Sequence, residues 1–221
     1  MKKILVVLPH PDDEAFGAAG TLAMHVSRGA RVTYACLTLG EMGRNMGFPP
    51  FANRVTLPQI RQAELEASCR AVGIQDLRLL GFHDKTLEFE DPDKLAGRIG
   101  ELLEEIRPDL VITFYPGYSV HPDHDACGAA VIRAVGRLPE AERPAVHCMA
   151  FSHDCEQALG KPDVVNDVRP FLEQKLGALN AHRSQFRYGT LPARGRLSET
   201  EFAEWLGRER FWTYRWPKSD L

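Results

Sequence analysis

Two short stretches of this 221-residue chain concentrate imidazoles and carboxylates: His10-Pro11-Asp12-Asp13-Glu14 and His121-Pro122-Asp123-His124-Asp125. Histidine nitrogen and carboxylate oxygen are the donors a divalent ion takes. Two His with one carboxylate and one open position is a catalytic zinc arrangement. The competing reading is that acids behind a strand cap the helix that follows. Capping accounts for one Asp per turn easily, and leaves two separate His-Pro-Asp clusters without a reason. The run Ser152-His153-Asp154-Cys155 contains similar donors, but adjacent side chains on a strand or turn point apart and do not converge on one ion.

Converging the two clusters requires elements that bring them to one edge. Aliphatic or β-branched runs predict strands at Ile4–Leu8, Arg31–Thr38, Leu77–Phe82, Leu110–Tyr115 and Ala145–Phe151. Between them lie stripes of helical period, Phe16, Ala19, Leu22, Ala23 and Val26 in one segment, Leu95, Ile99, Leu102, Leu103 and Ile106 in another. Thr56 with Gln59, Asp91 before Pro92, and Ser198 with Glu201 suit helix starts. Gly29, Gly73 and Pro108 suit helix ends. Continuous apolar strands alternating with helices predict an α/β fold, Rossmann-like and three-layered, with a mostly parallel sheet and helices on both faces. Residues 1–221 are expected to form a single domain. In such a sheet ligands bind beyond the carboxyl ends of the strands. Both clusters follow a strand, so His10, Asp12, Asp13, His121, Asp123, His124 and Asp125 are expected on that rim. The Gly/Pro-rich segment 40–57 reads as a binding or lid loop beside it.

Composition narrows the partners. A net charge of −3 and a pI near 6.2 give no electrostatic case for nucleic acid or an anionic membrane. No apolar run reaches the ~20 residues of a membrane span. The basic start Met1-Lys2-Lys3 precedes only a short apolar run, which reads as a strand and not an export signal. Five scattered cysteines without a C-x-x-C pair suit reduced thiols and a cytoplasmic location. Trp205, Trp212 and Trp216 suit a core or a subunit face, which leaves room for a homo-oligomer.

The paired motifs resemble the signature of the LmbE/PIG-L-like zinc N-deacetylases. The likeness extends to Arg61-x-x-Glu64, Gly81-Phe82-His83-Asp84 and Leu179-Asn180-Ala181-His182-Arg183-Ser184-Gln185. The segments 40–54 and 152–163 are most similar to a bacillithiol-pathway branch that acts on N-acetylglucosaminyl-malate. The resemblance implies one Zn²⁺ per chain held by His10, Asp13 and His124, with Asp12 as general base. It implies that His121, oriented by Asp123, supports the oxyanion or protonates the leaving amine, and that Asp84 accepts from sugar hydroxyls. Some relatives carry a tyrosine two residues before the first His of the second motif; here that position is Ser119, with Tyr118 one step earlier. Arg44 suits a bidentate clamp on a substrate carboxylate, or a solvated loop. His182 either reaches the pocket or packs. The implied partner is a small N-acetyl sugar conjugate, with another N-acetyl sugar or a non-catalytic metal module as alternatives. A dinucleotide enzyme is disfavoured, because no G-x-G-x-x-G follows the first strand and three acids would repel a pyrophosphate.

Overall fold

The computed structural model describes residues 1–186, 200, 204 and 206–216. Strand β1 (Lys3–Leu8) lies at the centre. Its Ile4, Val6 and Leu8 enter one core and its Leu5 and Val7 the other. Burial on both faces is why this strand is continuously apolar. It pairs in parallel with β2 (Arg31–Cys36) on one side and β4 (Leu110–Phe114) on the other. With β3 (Asp76–Leu79) beyond β2 and β5 (Ala145–Met149) beyond β4, the parallel part has the order β3-β2-β1-β4-β5. Helices α2 (Ala19–Ser27), α3 (Leu57–Val72) and α7 (Leu172–Ala181) cover one face; α4 (Pro92–Ile106) and α5 (Pro122–Gly136) cover the other. The three layers match the expectation. The short α1 (Asp13–Gly17) opens the chain's first crossover, and α6 (Cys155–Leu159) follows β5.

Strand order reverses between β1 and β4, so the turns leaving these two strands open side by side at the carboxyl edge. Those turns hold the two His-Pro-Asp clusters.

Several local expectations are corrected. The stripe from Phe16 to Val26 is not one helix: Ala18 takes φ −140° and separates α1 from α2. Thr56 precedes α3, but its side chain caps nothing and its hydroxyl accepts from the Asn53 N–H instead. Asp91 does cap α4, accepting from the Asp93 N–H at 2.7 Å. The helix ends at Gly29 and Gly73 are left-handed, at φ 81° and 87°. Ser198, Glu201 and Trp205 lie outside the described residues.

Two further strands extend the sheet beyond the sequence expectation. β7 (Arg208–Thr213) runs antiparallel to β5, and β6 (Val164–Asp167) antiparallel to β7. Within β7 the buried Glu209 accepts from the N–H groups of Gly20 and Thr21, at 3.0 and 2.6 Å, and pairs with Lys175 at 2.8 Å. A charged residue of β7 thereby closes the amino terminus of α2. Trp212 is buried beside Ala150 and Cys155, as a core tryptophan would be. Trp216 packs under the Arg143 guanidinium, 4.7 Å from its ring centre. All five cysteines are buried and unpaired. Among the described residues no helix is long and apolar enough to cross a membrane.

Candidate active site

The turn after β1 is forced into shape by buried charges. Asp12 takes φ 116°, a conformation L-residues avoid. Its N–H donates to Glu14 Oε2 at 3.1 Å. The Arg61 guanidinium reaches across from α3 to Asp12 Oδ2 at 3.1 Å, to the Gly40 carbonyl at 2.8 Å and to the Pro11 carbonyl. Gly40 is required for that path, since a Cβ there would lie 2.0 Å from Arg61 Nη1. Glu14 is itself a hub. It accepts from the Ser68 hydroxyl at 2.5 Å, His182 Nε2 at 2.7 Å and the Tyr34 hydroxyl at 3.3 Å, all fully buried. Burial opposes charge on His182, but the Glu14 carboxylate more than reverses this and raises its pKa. Burial likewise opposes the Glu14 carboxylate, and His182 and Ser68 hold its pKa below the usual range. Asp12 heads α1, yet its side chain makes no capping bond. The capping reading therefore fails for Asp12.

Hydrogen-bond accounting identifies the metal-competent donors. His10 Nε2 lies 3.1 Å from Asp123 Oδ2 and 3.1 Å from Asp84 Oδ1, so that nitrogen carries hydrogen. His124 Nδ1 donates to the Ser119 carbonyl at 3.2 Å, and its ring stacks on Phe114 at 4.0 Å and 3°. The remaining nitrogens, His10 Nδ1 and His124 Nε2, face each other at 3.3 Å. Asp13 places its oxygens 3.5 and 3.2 Å from them. Two imidazole lone pairs and a carboxylate turned on one point are satisfied by a cation. Each imidazole has its other N–H held by an oxygen, as metal-ligating histidines do. Burial opposes charge on His10, yet its bonds to Asp123, Asp13 and Asp84 raise its pKa well above normal. This corner has a strong demand for positive charge.

A second trio, His10, His121 and Asp123, is also close enough to share an ion. Its lone pairs are already taken. The Asp123 carboxylate accepts from His10 Nε2 and from the N–H groups of Lys85 and Leu87, at 2.6 and 3.2 Å. His121 Nδ1 accepts from the Asp123 N–H at 3.1 Å, which makes His121 the N-cap of α5. The orientation expected of Asp123 is thus divided: its backbone fixes His121 and its carboxylate fixes His10. Burial, with the neighbouring His10 and His124, lowers the His121 pKa. A neutral His121 with Nδ1 occupied carries its hydrogen on Nε2, as a donor.

A cavity of about 390 Å³ opens over these groups and is lined by His10, Asp12, Arg44, Asp84, Lys85 and His121, among others. A larger groove of about 760 Å³ between α4 and α5 touches this chemistry only through His121. Asp84 is buried, and accepts from His10 at Oδ1 and from the Met42 N–H at Oδ2, 2.8 Å away. Burial raises the Asp12 pKa to about 6, against the pull of Arg61 and with the push of Asp13. For Asp13 burial acts the same way, but His124 and His10 override it and hold its pKa far below normal. One carboxylate is placed to take a proton and its neighbour to stay charged.

Other expected residues are not in the site. Asp125 turns away and accepts from the N–H groups of Gly117 and Ser119, at 2.8 and 3.2 Å. Tyr118 packs on Tyr115, 5.7 Å between ring centres, beside Ala150, Cys155 and Trp212. His182 is fully buried and reaches the site only through Glu14. His153 and Asp154 are exposed while Cys155 is buried, so they do not converge. The roles of Arg61 and Glu14 were missed from sequence. For Arg61 the signal is charge on an apolar face: Arg61 and Glu64 sit at i and i+3 with Leu57, Leu65 and Ser68, all buried on α3.

Comparison with known proteins follows the same lines. Residues 5–135 match the PIG-L family, described as GlcNAc-PI de-N-acetylase. A Bacillus cereus protein named probable N-acetyl-alpha-D-glucosaminyl L-malate deacetylase 2 is 52% identical over 97% of this chain and 99% of its own. Its namesake in Bacillus subtilis is 50% identical over 96% of this chain and 97% of its own. Among solved structures, the N,N'-diacetylchitobiose deacetylase of Pyrococcus horikoshii superposes with a TM-score of 0.73 at 26% identity, covering 96% of this chain and 84% of that one. The fold, the two His-Pro-Asp turns and a half-identical relative matched over nearly its whole length agree: the chain belongs to the PIG-L family of de-N-acetylases.

Proposed function

We propose that the chain is a single-domain, zinc-dependent hydrolase that removes the acetyl group from N-acetylglucosaminyl-malate. The observation that carries the reading is the convergence of His10 Nδ1, His124 Nε2 and Asp13 on one point beside Asp12. The malyl conjugate enters from the names of the half-identical relatives.

His10, Asp13 and His124 would hold the zinc. Such an ion, when bound, polarises a carbonyl and lowers the pKa of water to ~7. The chain's own residues do the rest. Asp12 is held by Arg61 and by its N–H bond to Glu14, and takes the proton of the attacking water. The water oxygen bonds to the acetyl carbon. The His121 Nε2–H donates to the oxyanion that develops there. The C–N bond then breaks, the proton passes to the amine, and acetate and a free glucosamine conjugate leave. Asp84 keeps His10 oriented from below and presents its oxygens to the sugar. Arg44 pairs with a malyl carboxylate.

Zinc-loaded protein should be incubated with N-acetylglucosaminyl-malate, free N-acetylglucosamine and its oligomers, following acetate and free amine. The malyl conjugate is expected to give the highest kcat/KM. Acetate release that is equal on all, or absent from all, contradicts the proposal.

A further inference from the structure

The cavity over the site contains three cations, and only one of them is matched. Arg61 is consumed by Asp12 and the Gly40 and Pro11 carbonyls. Arg44 and Lys85 line the same cavity, are exposed, and have no acidic partner among the described residues. Exposed cations such as Arg28, Arg70 and Lys161 lack an acidic partner among the described residues too, so what sets Arg44 and Lys85 apart is that they share one cavity with His10, Asp12 and His121.

We infer that Lys85 is a specificity residue of the cavity, forming with Arg44 a two-cation site for an aglycone that carries two carboxylates. The inference rests on the deacetylase reading above and adds to it a second anchor for the malyl group.

Three features of Lys85 support it. Its backbone is at φ 63°, where glycine would be unstrained and an L-residue is disfavoured, so a lysine here stands against local preference. Its N–H donates at 2.6 Å to Asp123 Oδ2, the same oxygen that takes His10 Nε2. The root of the lysine is therefore fixed to the carboxylate that orients a metal ligand. Lys85 lines the cavity that also holds His10, Asp12 and His121.

Arg44 is rooted with comparable care. Its neighbour Gly43 bonds to Gly40 at 3.0 Å and receives Arg54 on its carbonyl at 2.6 Å. Asn45 on the other side donates to the Gln185 carbonyl at 2.9 Å. Two separate turns, after β2 and after β3, thus each deliver one unmatched cation to one cavity.

Charge explains why two are needed. The cavity is already lined by Asp12 and Asp84. A dianionic group entering it meets like charge unless each carboxylate has its own cation, and unmatched like charges at a recognition site disfavour binding strongly. Arg44 can satisfy one carboxylate in bidentate fashion; the second falls to a point charge such as an ammonium.

The test compares wild type, Lys85→Gln and Lys85→Arg as zinc-loaded full-length proteins. The substrates are three α-glycosides of N-acetylglucosamine, with malate, glycolate and methanol as aglycones. Wild type should prefer malyl over glycolyl over methyl. Lys85→Gln should lower the malyl-over-methyl preference about tenfold, through KM, and bring malyl close to glycolyl. Lys85→Arg, which keeps the charge, should stay within about threefold of wild type. Raising salt should erode the malyl preference of wild type more than that of Lys85→Gln. A Lys85→Gln protein with the wild-type preference overturns the role of Lys85 and leaves the deacetylase reading standing. A wild type that hydrolyses none of the three glycosides overturns both.

Discussion

Gly128 lies one helical turn beyond His124 on α5, against the end of β4. A Cβ built there would stand 2.3 Å from the Phe114 carbonyl oxygen. Ordinary C···O contacts begin near ~3.3 Å, so Gly128→Ala must open α5 from β4 by about 1 Å. The obstacle is backbone in a sheet buried on both faces, which cannot yield as a flexible side chain would. Overpacking of this kind costs ~1–3 kcal/mol, and better helix propensity returns at most ~1. For a chain of this size the resulting net loss, up to ~2 kcal/mol after the full helix-propensity return, lowers Tm by up to roughly 8 °C. The effect on chemistry is larger. His121, Asp123 and His124 all ride on the first turn of α5, and a ~1 Å misplacement of reacting groups costs on the order of 10²-fold. Calorimetry, zinc affinity and kcat/KM should be measured together. Gly97→Ala and Gly100→Ala on α4, where a Cβ meets nothing within 4 Å, serve as controls and should not destabilise. A Gly128→Ala protein with wild-type Tm, zinc affinity and turnover would refute the view that this close approach sets the site.

Three further outcomes follow from the same geometry. Asp12→Asn should keep its metal and lose about 10²–10⁴-fold in kcat, whereas Asp13→Ala should lose metal affinity and regain part of its activity at high zinc; metal analysis beside kcat separates the two. Arg44→Ala should raise KM for the malyl conjugate, with roughly ten- to hundredfold lower kcat/KM and a much smaller loss on the methyl glycoside; equal losses would make Arg44 a loop residue only. His182→Gln tests the buried ion pair through pH. Because the folded His182 pKa is raised, its contribution to stability is complete below the unfolded value of ~6.5 and lost as pH rises through the folded value. The Tm gap between wild type and His182→Gln should be wide near pH 6 and narrow in alkaline solution. A gap that widens with pH would contradict the pairing.

The central sheet was legible because β1, β2, β4 and β5 are buried on both faces and read as apolar runs. The antiparallel strands β6 and β7 were not. Val164–Asp167 is four residues of alternating exposure, and Arg208–Thr213 opens with Arg-Glu-Arg, whose Glu209 is buried only because α2 needs an acceptor at its amino terminus. The break at Ala18 was invisible for a related reason: the apolar period continues through it while the backbone leaves the helix at φ −140°. For the site, residue types and strand ends put His10, Asp12, Asp13, His121, Asp123, His124 and Asp125 on one rim, while the choice of His10, Asp13 and His124 came from the family resemblance. The division of labour at Asp123 was not readable, since nothing in sequence says that its carboxylate faces one histidine and its N–H another. Arg61 and Glu14 act through contacts 49 and 54 positions away along the chain, with Asp12 and Ser68.

The most direct measurement is a zinc titration of chelator-stripped protein, following acetate release from N-acetylglucosaminyl-malate. Three ligands with an open position make one site, so activity should be lost on stripping, rise in proportion to added zinc, and level off near one ion per chain. Full turnover in the stripped protein, or a break near two ions per chain, would contradict a single catalytic ion held by His10, Asp13 and His124.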